Sequence, residues 1–224
     1  MMKKIALIIL VLHCMMLNQL MAQSLGGFMR GLAGEPIVAT QYSNVKEGSP
    51  FLYEDWQKGK IILGDGQAYE NVPLKLNLLE GTVHYKTNDN QEFVPDAAVK
   101  EVMLINEENQ KSLRFIHSSF ICKEEKRGWY QILDSGQAML FRFDSRILSE
   151  VKPYGSAVIE EHITNSGIFV LTYENQCYKL KNTQELRNKL ITLKPESKEK
   201  LPKNGNSKSE EEMIACIKNF NALF

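Results

Sequence analysis

Apolar and polar side chains alternate along much of the middle of the chain. Leu74, Leu76 and Leu78 are separated by mostly polar neighbours. After a glycine turn, the same alternation resumes at Val83 and Tyr85. Because side chains two positions apart lie on the same face of a strand, this pattern predicts strands with one buried face and one more polar face.

Short runs of this kind continue as far as Leu180 and are separated by residues that favour turns. Beyond the first hairpins, we predict strands at Val99–Ile105, Ser112–Ile116, Phe120–Lys123, Trp129–Leu133, Ala138–Phe143, Val158–Ile163, Ile168–Tyr173 and Cys177–Leu180. Turns are predicted at Asp134–Gln137, Asn165–Gly167 and Glu174–Gln176. The sequence therefore predicts a mainly β fold of the α+β class, in which residues 48–181 form an antiparallel meander that folds into a sandwich or an open barrel.

The pattern changes to a helical period after residue 181. Asn182 precedes Glu185 by three positions, and leucines then recur four and three positions apart up to Leu193, before Pro195. An asparagine followed by glutamate at this spacing is a helix-capping pattern, and proline ends a helix. We predict an amphipathic helix here, followed by a further helical turn after the proline.

A second helix is predicted near the carboxyl terminus. Ser209 stands at the capping position and is followed by three glutamates, which interact favourably with the positive end of a helix dipole. Its apolar stripe consists of Met213, Ile217, Phe220 and Phe224. Residues 182–224 thus supply two to three helices that close the β domain, with Phe224 expected in the core.

The amino terminus has the pattern of a cleavable signal peptide. Lys3 and Lys4 precede an apolar run, and Ala22 offers a small side chain for cleavage near Gln23. The run is short for a membrane-spanning helix, so we expect no span in the mature chain. His13 before Cys14 disfavours lipid attachment at that cysteine, and residues 23–47 are expected to form a flexible leader.

Composition narrows the classes of partner. The chain has 27 basic and 27 acidic residues, and loss of the signal removes two lysines, so the mature protein is close to neutral. Such a balance argues against nucleic acid as a partner. Three cysteines remain, Cys122, Cys177 and Cys216, which allow at most one internal disulfide. We expect them to be buried as small apolar residues, and whether two of them pair is left open.

The histidines form no recognisable catalytic or metal-binding pattern. His84 alternates with apolar neighbours and is expected to face solvent or to lie at an edge of the sheet. His117 precedes two serines, but adjacent strand residues point to opposite faces, so we predict no hydrogen bond between them. His162 follows two glutamates, as in half of a zinc-binding helix motif. That motif needs a second histidine four positions later, and Ser166 stands there. We therefore predict no catalytic residue, no metal site and no cofactor.

Two tryptophans are the candidate binding residues. Trp56 follows two acidic residues ahead of the first clear strand, and Trp129 opens a strand after a charged turn. Indole is amphipathic and is common at interfaces, so either side chain is suited to contacting a partner.

Short motifs resemble a group of secreted proteins of Bacteroidota. They are the entry Gly48-Ser49-Pro50-Phe51-Leu52, then Trp56, Gly59 and the strand Asn71-Val72-Pro73-Leu74-Lys75-Leu76-Asn77. The likeness extends over most of residues 48–224. It implies a location in a Gram-negative cell envelope and carries over no catalytic residue.

These features favour an exported, non-catalytic interaction protein whose partner is another envelope protein or a surface ligand. One alternative is an envelope hydrolase with a cleft built from distant residues, recruiting His117, His162 and a carboxylate. Another is an accessory subunit of an envelope complex. A pocket in which two of the recruited groups approach within about 3 Å would favour the hydrolase.

Overall fold

The computed structural model describes residues 32–37, 42–105, 111–122, 126–152, 154–155, 159–202 and 209–224. The predicted signal peptide, residues 1–22, and the lipidation candidate Cys14 lie outside these ranges.

The described residues form twelve strands and two α-helices. The strands are β1 (Gly34–Pro36), β2 (Val45–Glu47), β3 (Gln57–Leu63), β4 (Ala68–Asn77), β5 (Thr82–Lys86), β6 (Glu92–Pro95), β7 (Val99–Ile105), β8 (Ser112–His117), β9 (Trp129–Asp134), β10 (Ala138–Val151), β11 (Glu160–Tyr173) and β12 (Gln176–Leu180). The helices are α1 (Thr183–Leu193) and α2 (Glu210–Asn221), with 3₁₀ turns at Ser118–Phe120 and Pro195–Glu199.

All twelve strands belong to one mixed sheet that does not close on itself. Eleven of them follow the order β1-β6-β5-β4-β3-β7-β8-β9-β10-β11-β12, with antiparallel neighbours throughout. The remaining strand, β2, pairs in parallel with β11. Two meanders, β3 to β6 and β7 to β12, therefore meet where β3 pairs with β7. The prediction of a mainly β chain with carboxyl-terminal helices is confirmed.

The first half of the sheet curls around its own core. This core is formed by side chains from one face of β3, β4, β5, β7 and β8 and by the first residue of β9. Its buried members include Ile61, Leu74, Val83, Tyr85, Val102, Phe115 and Trp129. The curl brings the turn before β5 against the start of β9: a Cβ atom added at Gly81 would lie 3.2 Å from the Cα of Gly128. Only glycine fits so close an approach without displacing the neighbouring backbone.

The helices cover the second half of the sheet on one face. The Asn182 side chain accepts the Glu185 N–H at 2.9 Å, and Ser209 Oγ accepts the Glu212 N–H at 3.4 Å, so both predicted caps are confirmed. The buried residues here come from β10, β11, β12 and the helices; those of α2 are Met213, Cys216, Ile217 and Phe220. Within the described ranges, no helix is long and apolar enough to span a membrane.

The prediction that Phe224 belongs to the core is wrong. Phe224 is 60% exposed, and its ring lies tilted against the rings of Tyr173 and Phe220 at centroid distances of 6.3 and 5.6 Å. Helix α2 ends at Asn221, so the last residues leave the helical period that would have carried Phe224 inward.

A third, smaller core lies on the face opposite the helices. Its buried members are Tyr130, Phe141, Phe143 and Val170. Ile121, which follows the 3₁₀ turn after β8, packs against this core. The next residue, Cys122, forms a disulfide with Cys177 of β12, and the bond spans 55 positions of sequence. The disulfide therefore holds the segment that follows β8 against the face of the sheet opposite the helices.

Two predictions change at this point. Residues Phe120–Lys123 were expected to form a strand, but after β8 the chain makes a 3₁₀ turn at Ser118–Phe120, and Ile121 and Cys122 belong to no strand. Lys123 lies outside the described residues. The expectation of three buried thiols holds only for Cys216, which is free and buried. Burial raises the pKa of the Cys216 thiol to about 11, so this group stays protonated and unreactive near neutral pH.

Strands β10 and β11 form one long hairpin of fourteen residue pairs. The predicted turn at Asn165–Gly167 is wrong, because these residues pair with Asp144–Arg146 inside the hairpin. Gly167 lies opposite Asp144, whose Oδ1 would be 2.9 Å from an added Cβ atom. The missing side chain leaves room for this carboxylate, so a residue that favours turns is accommodated within a continuous strand.

The segment predicted as a leader, residues 23–47, contains β1 and β2. β1 pairs with β6 at one end of the sheet, and the buried Leu32 just before β1 accepts a 2.6 Å hydrogen bond from the Tyr85 hydroxyl at its carbonyl. A strand at the edge of a sheet is held mainly by backbone hydrogen bonds and does not need alternating apolar side chains. The sequence pattern therefore did not indicate β1.

We expect the disulfide to stabilise the fold because it closes a long loop. Replacing both Cys122 and Cys177 with alanine should lower the free energy of unfolding by about 2–4 kcal/mol, measured by urea denaturation. The control is reductant, which should destabilise the wild-type protein and leave the double variant unchanged. Equal stability of the two proteins under oxidising conditions would contradict this role.

Candidate functional site

The far half of the β10–β11 hairpin extends beyond the neighbouring strands. β9 pairs with β10 only from Leu140 to Phe143. We call residues 145–151 of β10 and 160–166 of β11 the arm. On the β11 side of the arm, β2 pairs at Glu161 and His162. On the β10 side, no strand among the described residues pairs with it, so a β edge is open there.

Apolar side chains on the arm are exposed to solvent. Ile147, Leu148, Val151 and the adjoining Ile159 have exposed fractions between 39% and 57%. Tyr154, near the tip of the hairpin, is fully exposed. These five account for most of the seven large apolar or aromatic residues that are exposed in the described part of the chain. Such clustering is typical of a surface that binds another macromolecule.

The arm is fixed to the rest of the protein by side-chain contacts on both of its faces, through Arg146 on one and His162 on the other. The Arg146 guanidinium donates to the carbonyl oxygens of Ser49 and Phe51 at 3.2 and 3.4 Å. His162 lies between two carboxylates, 3.1 Å from Glu47 and 3.4 Å from Glu160. These contacts join the arm to residues 45–51, so the open edge is presented in a defined position.

Trp129, one of the two candidate binding residues, belongs mainly to the first core. Trp129 is 3% exposed, and its ring packs against the His117 ring in a T-shaped arrangement with a centroid distance of 5.3 Å. It also lines a cleft of about 280 Å³ together with His117, Ser119, Arg127 and Asp96. The indole N–H is buried and has no hydrogen-bond partner among the described residues. Trp129 is thus a packing residue that also lines a small cleft with both polar and apolar walls.

The prediction that His117 and the serines after it cannot interact is wrong. Nδ1 of His117 lies 2.8 Å from Ser119 Oγ and accepts the Ser119 backbone N–H at 3.4 Å. The strand ends at His117, and the following 3₁₀ turn brings position 119 back toward the ring. Burial, and to a lesser extent Arg127, lowers the pKa of His117, so the ring is neutral near pH 7.

This arrangement is a capped turn. A nucleophilic serine needs a base that is itself oriented by a third group, commonly a carboxylate. Among the described residues, the contacts of the His117 ring are with Ser119 and Trp129, and none is with a carboxylate. His162, which does contact carboxylates, is not among the residues that line the cleft.

The expectation that His84 faces solvent is also wrong, because the residue is buried. Residues 50–52 return along the end of β4, where Leu52 N–H donates to the Leu76 carbonyl at 2.9 Å. This segment places the Phe51 ring against His84 at a centroid distance of 5.3 Å. The outer face of β5 is therefore covered by residues far from His84 in sequence, which the local alternation does not reveal.

Trp56, the other candidate, is half-buried beside lysine side chains. The ammonium groups of Lys75 and Lys86 lie 5.1 and 4.7 Å from the centre of its ring. Cations at this distance over an indole are attracted by its π electrons. Trp56 lies on the same face as these lysines, whereas Trp129 packs on the opposite face with Val83. The structure therefore does not bring the two tryptophans into one site.

The arm was missed at the sequence level. The available signal was Ile147-Leu148 between polar residues, followed by Val151 and Ile159, which fits neither a buried face nor a turn.

No family model matches the chain, and neither the curated proteins nor the solved structures include a significant match.

The buried His84 should make stability depend on pH. Burial lowers its pKa in the folded state, an effect that Glu80 and Glu92 partly oppose. The unfolded chain then binds a proton more readily, so this stabilisation is complete above about pH 6.5 and decreases as the pH falls below that value. H84F retains an aromatic ring but cannot titrate, so its free energy of unfolding should decrease less between pH 7 and pH 5 than that of the wild type. Equal decreases in urea titrations at the two pH values would contradict this assignment.

Proposed function

We propose that this is an exported, non-catalytic interaction protein of the cell envelope that binds its partner through the arm. The observation that carries the proposal is the concentration of exposed apolar side chains on a single hairpin with an open β edge. The partner is an envelope protein, so the chain would act as one subunit of a complex.

An open edge and exposed apolar residues supply two kinds of binding energy together. The edge offers backbone N–H and C=O groups to an added strand, and apolar side chains on the same strand gain by leaving water. The contacts of Arg146 and His162 hold the arm in place before binding. A preorganised surface loses less conformational entropy on association than a flexible one.

Two observations support export. The amino terminus has the charged, apolar and small-residue regions of a signal peptide, ending near Ala22. The Cys122–Cys177 disulfide fits an oxidising compartment outside the cytoplasm, where such bonds persist. The resemblance to secreted Bacteroidota proteins suggests the envelope of a Gram-negative cell, in the periplasm or at the surface.

We also propose that the amino-terminal half of the sheet is an open barrel. The close approach of Gly81 to Gly128 and the shared burial of Val83 with Trp129 support this description. In an open barrel the interior is filled by side chains, as the first core of this protein is.

The hydrolase alternative gains little support. His162 does lie 3.1 Å from Glu47, but these two residues are on the arm and on β2, away from the residues that line the cleft. His117 contacts Ser119 as the cap of a turn. We therefore propose no second function for the cleft.

Export predicts a definite mass for the purified native protein. The mature chain should begin at Gln23, or one residue later, and reduction should raise its mass by two hydrogen atoms as the disulfide opens. Intact-mass spectrometry before and after reductant measures both quantities. A mass that includes residues 1–22, or a lipid adduct on Cys14, would contradict cleavage and release.

Binding through the arm predicts position-specific crosslinking in the envelope. A photoreactive benzoylphenylalanine at position 147, on the arm, should yield a covalent adduct of higher mass in cells that export the protein. The same residue at position 199, exposed near the carboxyl-terminal helices, is the matched control and should yield none. Equal adducts from both positions, or none from position 147, would count against an interaction surface on the arm.

A further inference from the structure

The open edge of the arm carries a self-complementary pattern of charges. Along β10, the side chains of one face belong to Asp144, Arg146, Leu148 and Glu150, and continued alternation would place Lys152 on the same face. We infer that the arm pairs with the arm of a second copy of this chain, antiparallel and edge to edge, about a two-fold axis through Leu148. This inference rests on the proposed function and specifies the partner.

Symmetry restricts how two such edges can meet. A two-fold axis that joins two identical antiparallel edges must run perpendicular to the sheet, so each face of one copy continues as the same face of the other. Residues of one face therefore lie opposite residues of that same face, and the possible registers differ by steps of two positions.

In the register centred on Leu148, both charged residues on the β10 strand of the arm face an opposite charge. Arg146 lies opposite Glu150 of the second copy, and the two-fold axis repeats this pair. At the ends, Lys152 of the second copy lies opposite Asp144, whose carboxylate also forms an ion pair with Arg142 at 2.9 Å. Oppositely charged residues directly across an antiparallel pair attract, with Cβ atoms about 4.5–5.5 Å apart.

The neighbouring registers bring like charges together. Centring the axis on Ile147 places Asp144 opposite Glu150, and centring it on Ser149 places Arg146 opposite Lys152. One step further in either direction places Arg146 opposite Arg146 or Glu150 opposite Glu150. Like charges at opposed positions repel, so only the register centred on Leu148 is favoured by all of these residues.

The side chains are placed to make these contacts. Glu150 and Lys152 are exposed. Arg146 uses part of its guanidinium for the carbonyls of Ser49 and Phe51, and its five N–H donors leave others for a carboxylate. The exposed Leu148 would meet Leu148 of the second copy on one face, whereas Ile147 and Val151 lie on the other face, opposite Ser149 and Ser145 of the second copy. The pairing would thus shield the exposed apolar residues of β10.

Association is tested first by sedimentation equilibrium of the purified protein. Between about 1 and about 100 µM, the wild type should shift from monomer to dimer. E150K places a lysine opposite Arg146 of the second copy, so its dimer dissociation constant should rise at least about tenfold. E199K makes the same charge change away from the arm and should associate like the wild type. A wild type that remains monomeric throughout this range would overturn the inference.

The register is tested by single cysteines at adjacent, similarly exposed positions. In L148C, the new cysteines of the two copies lie opposite each other at a distance that a disulfide spans. In I147C, they lie diagonally at about 7–8 Å, beyond the usual span. Under mild oxidation, L148C should therefore form a covalent dimer much faster than I147C. The reverse order, or equal rates, would overturn the proposed register.

The photo-crosslinking experiment separates failure of this inference from failure of the proposed function. An adduct from position 147 whose mass is twice that of the chain supports pairing of two copies. An adduct with a different protein, together with a monomeric wild type in sedimentation, overturns self-pairing and leaves the interaction role of the arm supported. Absence of any adduct, with a monomeric wild type, contradicts both.

Discussion

The pairing of β10 with β11 is the interaction on which the rest of this structure depends. Its fourteen residue pairs run from the helix-covered end of the sheet to the arm. One face of the pair contributes Leu140 and Leu171 to the core beneath the helices, and the other contributes Phe141 and Val170 to the smaller core. A single hairpin thus supplies two cores and the candidate interaction surface, so a slip of one position would exchange the two sets of side chains.

The two faces of the sheet are covered by different means. Helices α1 and α2 cover one face through apolar stripes that begin at side-chain caps. On the other face, the cover includes a short irregular segment that buries few side chains, and the Cys122–Cys177 bond joins it to β12. A cross-link of this kind acts mainly by restricting the unfolded chain, so it can hold a cover whose own packing is modest. Beyond these cores the hairpin continues with its apolar side chains exposed.

The exposed residues of the arm are difficult to explain by folding alone. Ile147, Leu148 and Val151 would gain free energy by leaving water, yet the monomer leaves them exposed on an open edge. Natural edge strands are commonly protected by charges that make pairing unfavourable. Here the charges of Arg146 and Glu150 favour one pairing register and disfavour its neighbours, which gives the edge selectivity for a partner. By contrast, the cleft beside Trp129 is accounted for by packing and by the turn that His117 caps.

The sequence by itself determined the features that depend on near neighbours: the strand at Val99–Ile105, the turn before Ala138, both helix caps and the mainly β class. Alternation and capping act over a few residues, so they can be read locally. Only the tertiary structure decided that Asn165–Gly167 extends a strand, that segment 50–52 buries His84, and that Cys122 meets Cys177. Each of these depends on a partner far away in the chain. The arm belongs to the same group, because whether Ile147 is buried or exposed depends on where the neighbouring strand ends, and no local pattern encodes that position.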